Sequence, residues 1–198
     1  MISNEELPFR AAFGIFWLIN MVVRIYFQSK VIGIDVATKT HEQRSRMFFR
    51  LFALSYLLML FYIFSSWFDF AHFFLSTEVR WWCGGGVLIA YILLFSCTHI
   101  ALGRNWSGLL EIHQDHTLII SGPYEYIRHP MYAAFILSGI GFLFLSANWF
   151  VGGLYLTIAI AMYLDRVGPE EQMMSIHFGV SYSEYMKRTG RLFPKVRK

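Results

Sequence analysis

The residues best suited to chemistry lie in one polar, proline-punctuated run between strongly apolar stretches: Ser121-Gly122-Pro123-Tyr124-Glu125-Tyr126-Ile127-Arg128-His129-Pro130-Met131-Tyr132. Gly122-Pro123 signals a turn. Pro130 suits the first turn of a new helix, where its missing N–H costs nothing. Arg128 and His129 then sit just before a helix N-terminus, where free N–H groups and the helix dipole favour an anion. A cationic pair, an anion-ready helix end and tyrosines at a membrane edge read as a site. The same residues also suit a juxtamembrane anchor, since Arg, His and Tyr all favour interfaces.

A second cluster follows the last apolar run: Asp165, Arg166, Glu170 and Glu171. Ionisable groups at a membrane edge are costly and are functional candidates by default. Arg166 and Glu170 are four apart and meet if the helix is continuous. Gly168-Pro169 predicts a break or kink, which puts both glutamates in the first turn of a new helix. The plainer alternative is a solvated helix end with surface ion pairs of little worth. Gly179 fits a helix C-terminus. Ser181-x-x-Glu184 reads as a capping box, with Tyr182 and Tyr185 on one face of the helix it starts.

If residues 104–132 and 165–191 converge, they enclose a pocket at the membrane edge. Arg128, His129 and Arg166 face an anionic group there, and Glu170 or Glu171 faces a cationic one. The sequence has no G-x-G-x-x-G, no glycine-rich phosphate loop and no G-x-S-x-G. Cys83 and Cys97 share one apolar stretch and give neither a disulfide framework nor zinc spacing. His113-x-x-His116 is the only close histidine pair and lacks a partner set of ligands, so no metal is expected.

The elements that must hold these residues are apolar helices. Of 198 residues, 56% are hydrophobic and 15% charged. Soluble domains average about 45–50% and 25%, so the expectation is an all-α integral membrane protein. The apolar runs are 9–26, 51–68, 81–102, 131–146 and 149–164. In the first, Arg10 and Arg24 lie near opposite ends, able to snorkel. Gly84-Gly85-Gly86, Gly139, Gly141, Gly152 and Gly153 mark close helix approach. The last two runs, joined by Ala147-Asn148, read as an antiparallel hairpin. Thr117-Leu118-Ile119-Ile120 reads as a short strand or extended chain.

Five spans with the N-terminus outside put the basic connections and the basic C-terminal region on the cytoplasmic side. The acidic start, Asn4-Glu5-Glu6, is not that of a signal peptide. The whole chain, 1–198, reads as a single membrane domain. Residues 1–102 hold three spans and 103–198 the cofactor-binding and catalytic region. The net charge of +4 points to topology and lipid, not to nucleic acid. No obligate protein partner is expected.

Ser121-Gly122-Pro123-Tyr124 followed by Arg128-His129-Pro130-Met131-Tyr132 resembles the R-H-P-x-Y signature of the isoprenylcysteine carboxyl methyltransferase family. Glu170-Glu171, Phe178-Gly179, Tyr182, Tyr185, Arg191 and Pro194 resemble its second half. Gly103-Arg104-Asn105-Trp106-Ser107 and His116-Thr117-Leu118-Ile119 fit upstream. The resemblance covers roughly 103–194, with Ala133-Ala134 where the family often has a glycine.

That resemblance implies a membrane methyltransferase using S-adenosyl-L-methionine. The implied cofactor contacts are His113, His116, Thr117, Leu118, Ile119, Tyr124, His129, Pro130, Met131, Tyr132 and Glu170. Arg166 and Glu170 are the implied catalytic pair, with Arg166 meeting the substrate carboxylate. The implied acceptor is a lipid-modified, isoprenylcysteine-like or otherwise apolar carboxylate entering from the bilayer. The implied location is the cell membrane of a prokaryote or the endoplasmic reticulum of a eukaryote. Three alternatives stand beside it: a phospholipid amine methyltransferase, an NADPH-dependent membrane reductase of the sterol-reductase type, and a lipid-binding protein without activity.

Overall fold

The computed structural model describes residues 4–30, 36–40, 42–106, 110–113 and 117–195, with backbone alone for 36–40, 42, 104 and 110–113. Helices dominate: α1 (Leu7–Ser29), α2 (Glu42–Phe64), α3 (Thr77–Leu102), α4 (Pro130–Ser146), α5 (Trp149–Phe178) and α6 (Val180–Arg188). Among the described residues, α1, most of α2, α3 and α5 are long and apolar enough to cross a membrane, and α4 is a shorter apolar helix. The 30 residues of α5 make a rod of about 45 Å. That exceeds a hydrocarbon core of about 30 Å, and the charged residues of α5, Asp165, Arg166, Glu170 and Glu171, all lie in its C-terminal half.

Two helix starts follow local rules. Pro130 opens α4 as expected. Asn148 caps α5 through Oδ1, which accepts from the Val151 N–H at 3.0 Å, while its Nδ2 donates to the Phe68 carbonyl at 2.7 Å. Ala147-Asn148 is the expected tight turn, and α4 and α5 pack as a hairpin. Gly152 lets them touch, because a Cβ there would lie 2.2 Å from Leu143 Cα. Gly84 does the same for α3 on α4, with a virtual Cβ 2.5 Å from the Leu145 nitrogen. Gly85, Gly86 and Gly153 do not serve helix approach: nothing from another helix lies within 4 Å of a Cβ there.

Several expectations are corrected. The helix does not break at Gly168-Pro169; α5 runs through Pro169. A proline in a helix interior costs about 3 kcal/mol, and anchoring on both sides, Met162 and Arg166 before it and Glu171 after it, all buried, opposes that cost. Ser181 lies inside α6, whose N-cap is Gly179 at φ 54°, so the capping box does not form. Of the two readings of residues 117–120, the strand does not form: they lie outside any ladder. The strand is instead Leu110–His113 (β2), antiparallel to Val36–Thr40 (β1) with Thr38 opposite Ile112. α2 begins at Glu42, ahead of the apolar run expected from 51, and ends at Phe64, short of that run's expected end at 68.

The two arginines of α1 do not snorkel into water. Arg10 is 1% exposed. It pairs with Asp69 and donates to the Tyr62 carbonyl at 2.7 Å. Nearby, Arg80 holds Glu6 in a fork at 2.5 and 2.8 Å and donates to the Leu145 carbonyl at 3.1 Å. These pairs tie the start of α1 to α3, to the end of α4 and to the 65–69 turn. In mid-bundle, Asn20 donates to Tyr56 Oη at 2.6 Å and accepts from Tyr91 Oη at 2.7 Å. The helices therefore meet through hydrogen-bonded polar side chains as well as through Phe13, Leu88, Phe142 and Tyr155.

Candidate active site

The predicted convergence of the two polar segments forms, and Glu171 holds it together. Its Oε1 accepts from Arg128 Nε at 2.9 Å and lies 3.3 Å from His129 Nε2, while its Oε2 accepts from Arg191 Nη2 at 2.6 Å. Arg128 also donates to the Thr189 carbonyl. The backbone completes the seam: Arg128 N–H donates to the Gly190 carbonyl at 2.8 Å and His129 N–H to that of Arg191 at 3.0 Å. Tyr185 Oη, from α6, donates to the Tyr124 carbonyl at 2.7 Å. The chain end thus runs beside residues 127–129 and closes α6 over them.

Beside this seam lies a cavity of about 150 Å³. One water needs about 10–15 Å³ on such a measure, so there is room for a ligand. Of the sequence-predicted residues, Thr117, Leu118, Ile119, Tyr124, His129, Met131, Tyr132, Arg166 and Glu170 line it. Pro130 is buried in the first turn of α4 and directs the helix without lining the cavity. His113 ends β2, and only its backbone is described. His116 lies outside the described residues.

The two glutamates divide their roles. Glu171 faces the seam, and Glu170 faces the cavity. Glu170 Oε2 accepts from Tyr132 Oη at 2.6 Å, and its Oε1 lies 3.5 Å from His129 Nδ1. Arg166, 6% exposed, places Nη1 4.0 Å from Met162 Sδ, and its charge acts on both Tyr132 and Glu170. Burial alone pushes the His129 imidazole down, but Glu170 and Glu171 outweigh it and hold its pKa above the ordinary value. Burial, and then the charge of Glu170, holds the Tyr124 phenol well above its ordinary range, so it stays neutral.

The sequence did not single out several wall residues. Asn105 accepts from the Thr117 N–H at 3.0 Å and donates to Thr117 Oγ1 at 3.1 Å, which holds the extended 117–119 segment against the cavity. Trp106, Phe52, Phe135 and Arg24 also line it. Asn105-Trp106 carried a signal as part of the upstream motif. The residues of α1 and α2 carried none, because an apolar helix does not announce which face turns inward.

The arrangement presents a half-buried carboxylate, a buried guanidinium and a buried imidazole to one partly aromatic cavity lined by apolar helices and by the polar segments. Among the described residues, the buried His129 Nδ1 makes no hydrogen bond of normal geometry, and Glu170 Oε1 lies 3.5 Å from it. A ring nitrogen held only by that long contact at a cavity wall fits a polar ligand.

Comparison with known proteins matches the pattern of the isoprenylcysteine carboxyl methyltransferase family to residues 82–176. Protein-S-isoprenylcysteine O-methyltransferase B of Arabidopsis thaliana is 27% identical over 121 residues, which is 59% of this chain and 61% of the relative. The Homo sapiens protein-S-isoprenylcysteine O-methyltransferase is 27% identical over 124 residues, 61% of this chain and 44% of the relative. The chain therefore spans less than two thirds of the length of these relatives. The solved eukaryotic intramembrane Ras methyltransferase of the family superposes with a TM-score of 0.54 at 21% identity, covering 79% of this chain and 54% of that one. That likeness carries the fold, an all-α multi-pass membrane architecture. The matched segment runs from the first turns of α3 through the first polar segment and nearly to the end of α5, and over it the chain is similar to the isoprenylcysteine carboxyl methyltransferase family.

Proposed function

We propose that this protein transfers a methyl group from S-adenosyl-L-methionine to the carboxylate of a lipid-modified, isoprenylcysteine-like or other apolar acceptor. The observation that carries the reading is the meeting of Arg166, Glu170, Tyr132 and His129 in one cavity between an apolar bundle and its polar edge. The relatives' names give the acceptor class.

When bound, S-adenosyl-L-methionine supplies an electrophilic methyl on a sulfonium. Thr117, Leu118, Ile119 and Tyr124 hold the cofactor, with Glu170 toward its ammonium and His129 Nδ1 toward a polar group. His113 and His116 belong to the same proposed set. Tyr132 fixes the Glu170 carboxylate through its 2.6 Å hydrogen bond. Tyrosine ring faces in the wall favour a cation by about 0.5–2 kcal/mol. Arg166 meets the acceptor carboxylate with a two-pronged fork. A carboxylate is ionised at neutral pH, so the residues need only position it and exclude water. This favours a carboxylate over an amine acceptor. An amine must lose a proton, and Glu170, already engaged by Tyr132 and facing His129, is poorly placed to take one.

We infer five membrane crossings, with α4 as the short one, the N-terminus outside and the cavity on the cytoplasmic side. The acceptor's apolar part reaches the cavity from the bilayer, and the polar cofactor reaches it from the water.

Calorimetric binding of S-adenosylhomocysteine to detergent-purified protein tests the reading, with NADPH titrated in parallel. Binding of the former is expected, and is lost in His129→Ala and Tyr132→Ala variants that stay folded. Binding of NADPH alone moves the assignment to a reductase. Binding of neither leaves a lipid-binding protein.

A further inference from the structure

The cavity holds a cation that the family pattern does not reach. Arg24 belongs to α1, far outside residues 82–176. Its side chain turns inward and lines the cavity. The guanidinium carbon lies 5.7 Å from the Tyr56 ring centre and 5.6 Å from that of Phe135. Nη1 is buried and makes no hydrogen bond within the described protein.

Its surroundings differ from those of the other inward-turned arginines. Arg10 has Asp69, Arg80 has Glu6, and Arg128 has Glu171. Arg166 acts on Glu170. The groups facing Arg24 are the phenols of Tyr56, Tyr91 and Tyr155 from α2, α3 and α5, and the His99 imidazole from α3. Among the described residues none of these is a carboxylate. A cation largely withdrawn from water without a counter-charge is costly, and the ring faces and the Tyr56 hydroxyl return only part of that cost. An anion entering the cavity completes the balance. The wall beside Arg24 is apolar: Phe135 lies under the guanidinium, and the Phe52 ring centre is 5.8 Å from that of Phe135. A small hydrated anion gains nothing from such a wall, whereas an anion carried on a hydrocarbon body does.

We propose that Arg24 is a substrate-binding residue that selects an apolar acceptor bearing a carboxylate, meeting that charge from α1 while Phe52 and Phe135 pack against the hydrocarbon part. This rests on the carboxyl methyl-transfer reading and adds, from outside the family-matched residues, a second cation to the one that Arg166 offers the carboxylate. Arg166 and Glu170 balance each other at the polar end of the cavity. Arg24 supplies the positive charge that no described carboxylate of the protein answers.

The probes are N-acetyl-S-farnesylcysteine as the free carboxylate and as its neutral carboxamide, titrated into purified protein without cofactor. Wild type is expected to prefer the carboxylate. Arg24→Gln is expected to weaken carboxylate binding about 10–100-fold, the worth of a charge-assisted hydrogen bond, and to leave the carboxamide unchanged. Arg24→Lys keeps the charge without the fork and is expected to lose about threefold or more for the carboxylate alone. It decides the matter if the glutamine variant does not fold.

An equal affinity of wild type for both probes overturns the proposal, as does a carboxylate preference that is undiminished in the substituted protein. S-adenosylhomocysteine is titrated into each sample. If it binds and the carboxylate preference is absent, Arg24 has no such role and the methyl-transfer reading stands. If it does not bind and the preference is present and lost with Arg24, the anion site stands and the methyl-transfer reading falls.

Discussion

Replacing Glu171 with glutamine tests whether this side chain holds the cavity's polar wall together. The substitution keeps the size and removes the charge. Of the three cations around Glu171, Arg128 is 10% and His129 2% exposed at the side chain, while Arg191 is 50% exposed. Removing one partner of a buried ion pair costs about 3–5 kcal/mol, because the remaining charge stays buried and unpaired. An exposed pair is worth about 0–1 kcal/mol. Glu171→Gln is therefore expected to cost about 3–5 kcal/mol and Arg191→Gln less than about 1 kcal/mol. For a chain of this size 1 kcal/mol moves the midpoint by about 2–4 °C, so the two variants should separate by roughly 10 °C. The assay is thermal unfolding of detergent-purified protein followed by tryptophan fluorescence. Glu171→Gln should also lose S-adenosylhomocysteine binding below its unfolding temperature, since His129 and Tyr124 sit on the same seam. If the two variants melt within about 2 °C of each other, the seam does not depend on the buried charges and the reasoning fails.

Two further outcomes follow from the same geometry. His129 has its pKa raised above 6.5 in the folded protein by Glu170 and Glu171 against the opposing effect of burial. Its contribution to stability is complete below the unfolded value and is lost as pH rises through the raised one. Thermal midpoints should fall on the alkaline side of 6.5, and His129→Gln should flatten that limb; an unaltered profile in the variant would refute the assignment. Gly152→Ala forces a Cβ to within 2.2 Å of Leu143 Cα, whereas Gly86→Ala meets nothing within 4 Å. The first should lose about 1–3 kcal/mol or more through overpacking and the second nothing measurable, as read by chemical or thermal unfolding.

The sequence by itself determined what depends on local chemistry. The apolar runs make membrane helices because every backbone group in lipid must be satisfied within the segment. Pro130 opens α4 and Ala147-Asn148 turns the chain because those preferences act over a few residues. The two motif-bearing segments were legible as site material, since clustered charges beside apolar helices have few other uses. Tertiary structure alone decided the rest. Glu170 and Glu171 are adjacent and chemically identical, and only the helix's rotation against α4 and the chain end turns one to the cavity and the other to Arg128 and Arg191. Pro169 argues for a break, and the contacts on both sides of it outweigh that local preference. The strand pair β1–β2 joins segments far apart in the chain, beyond the reach of local propensity. Arg10 and Arg24 look like two snorkelling ends of one helix. They turn inward because Asp69 and the tyrosine-lined cavity come from elsewhere in the fold, and a charge goes where its partners are.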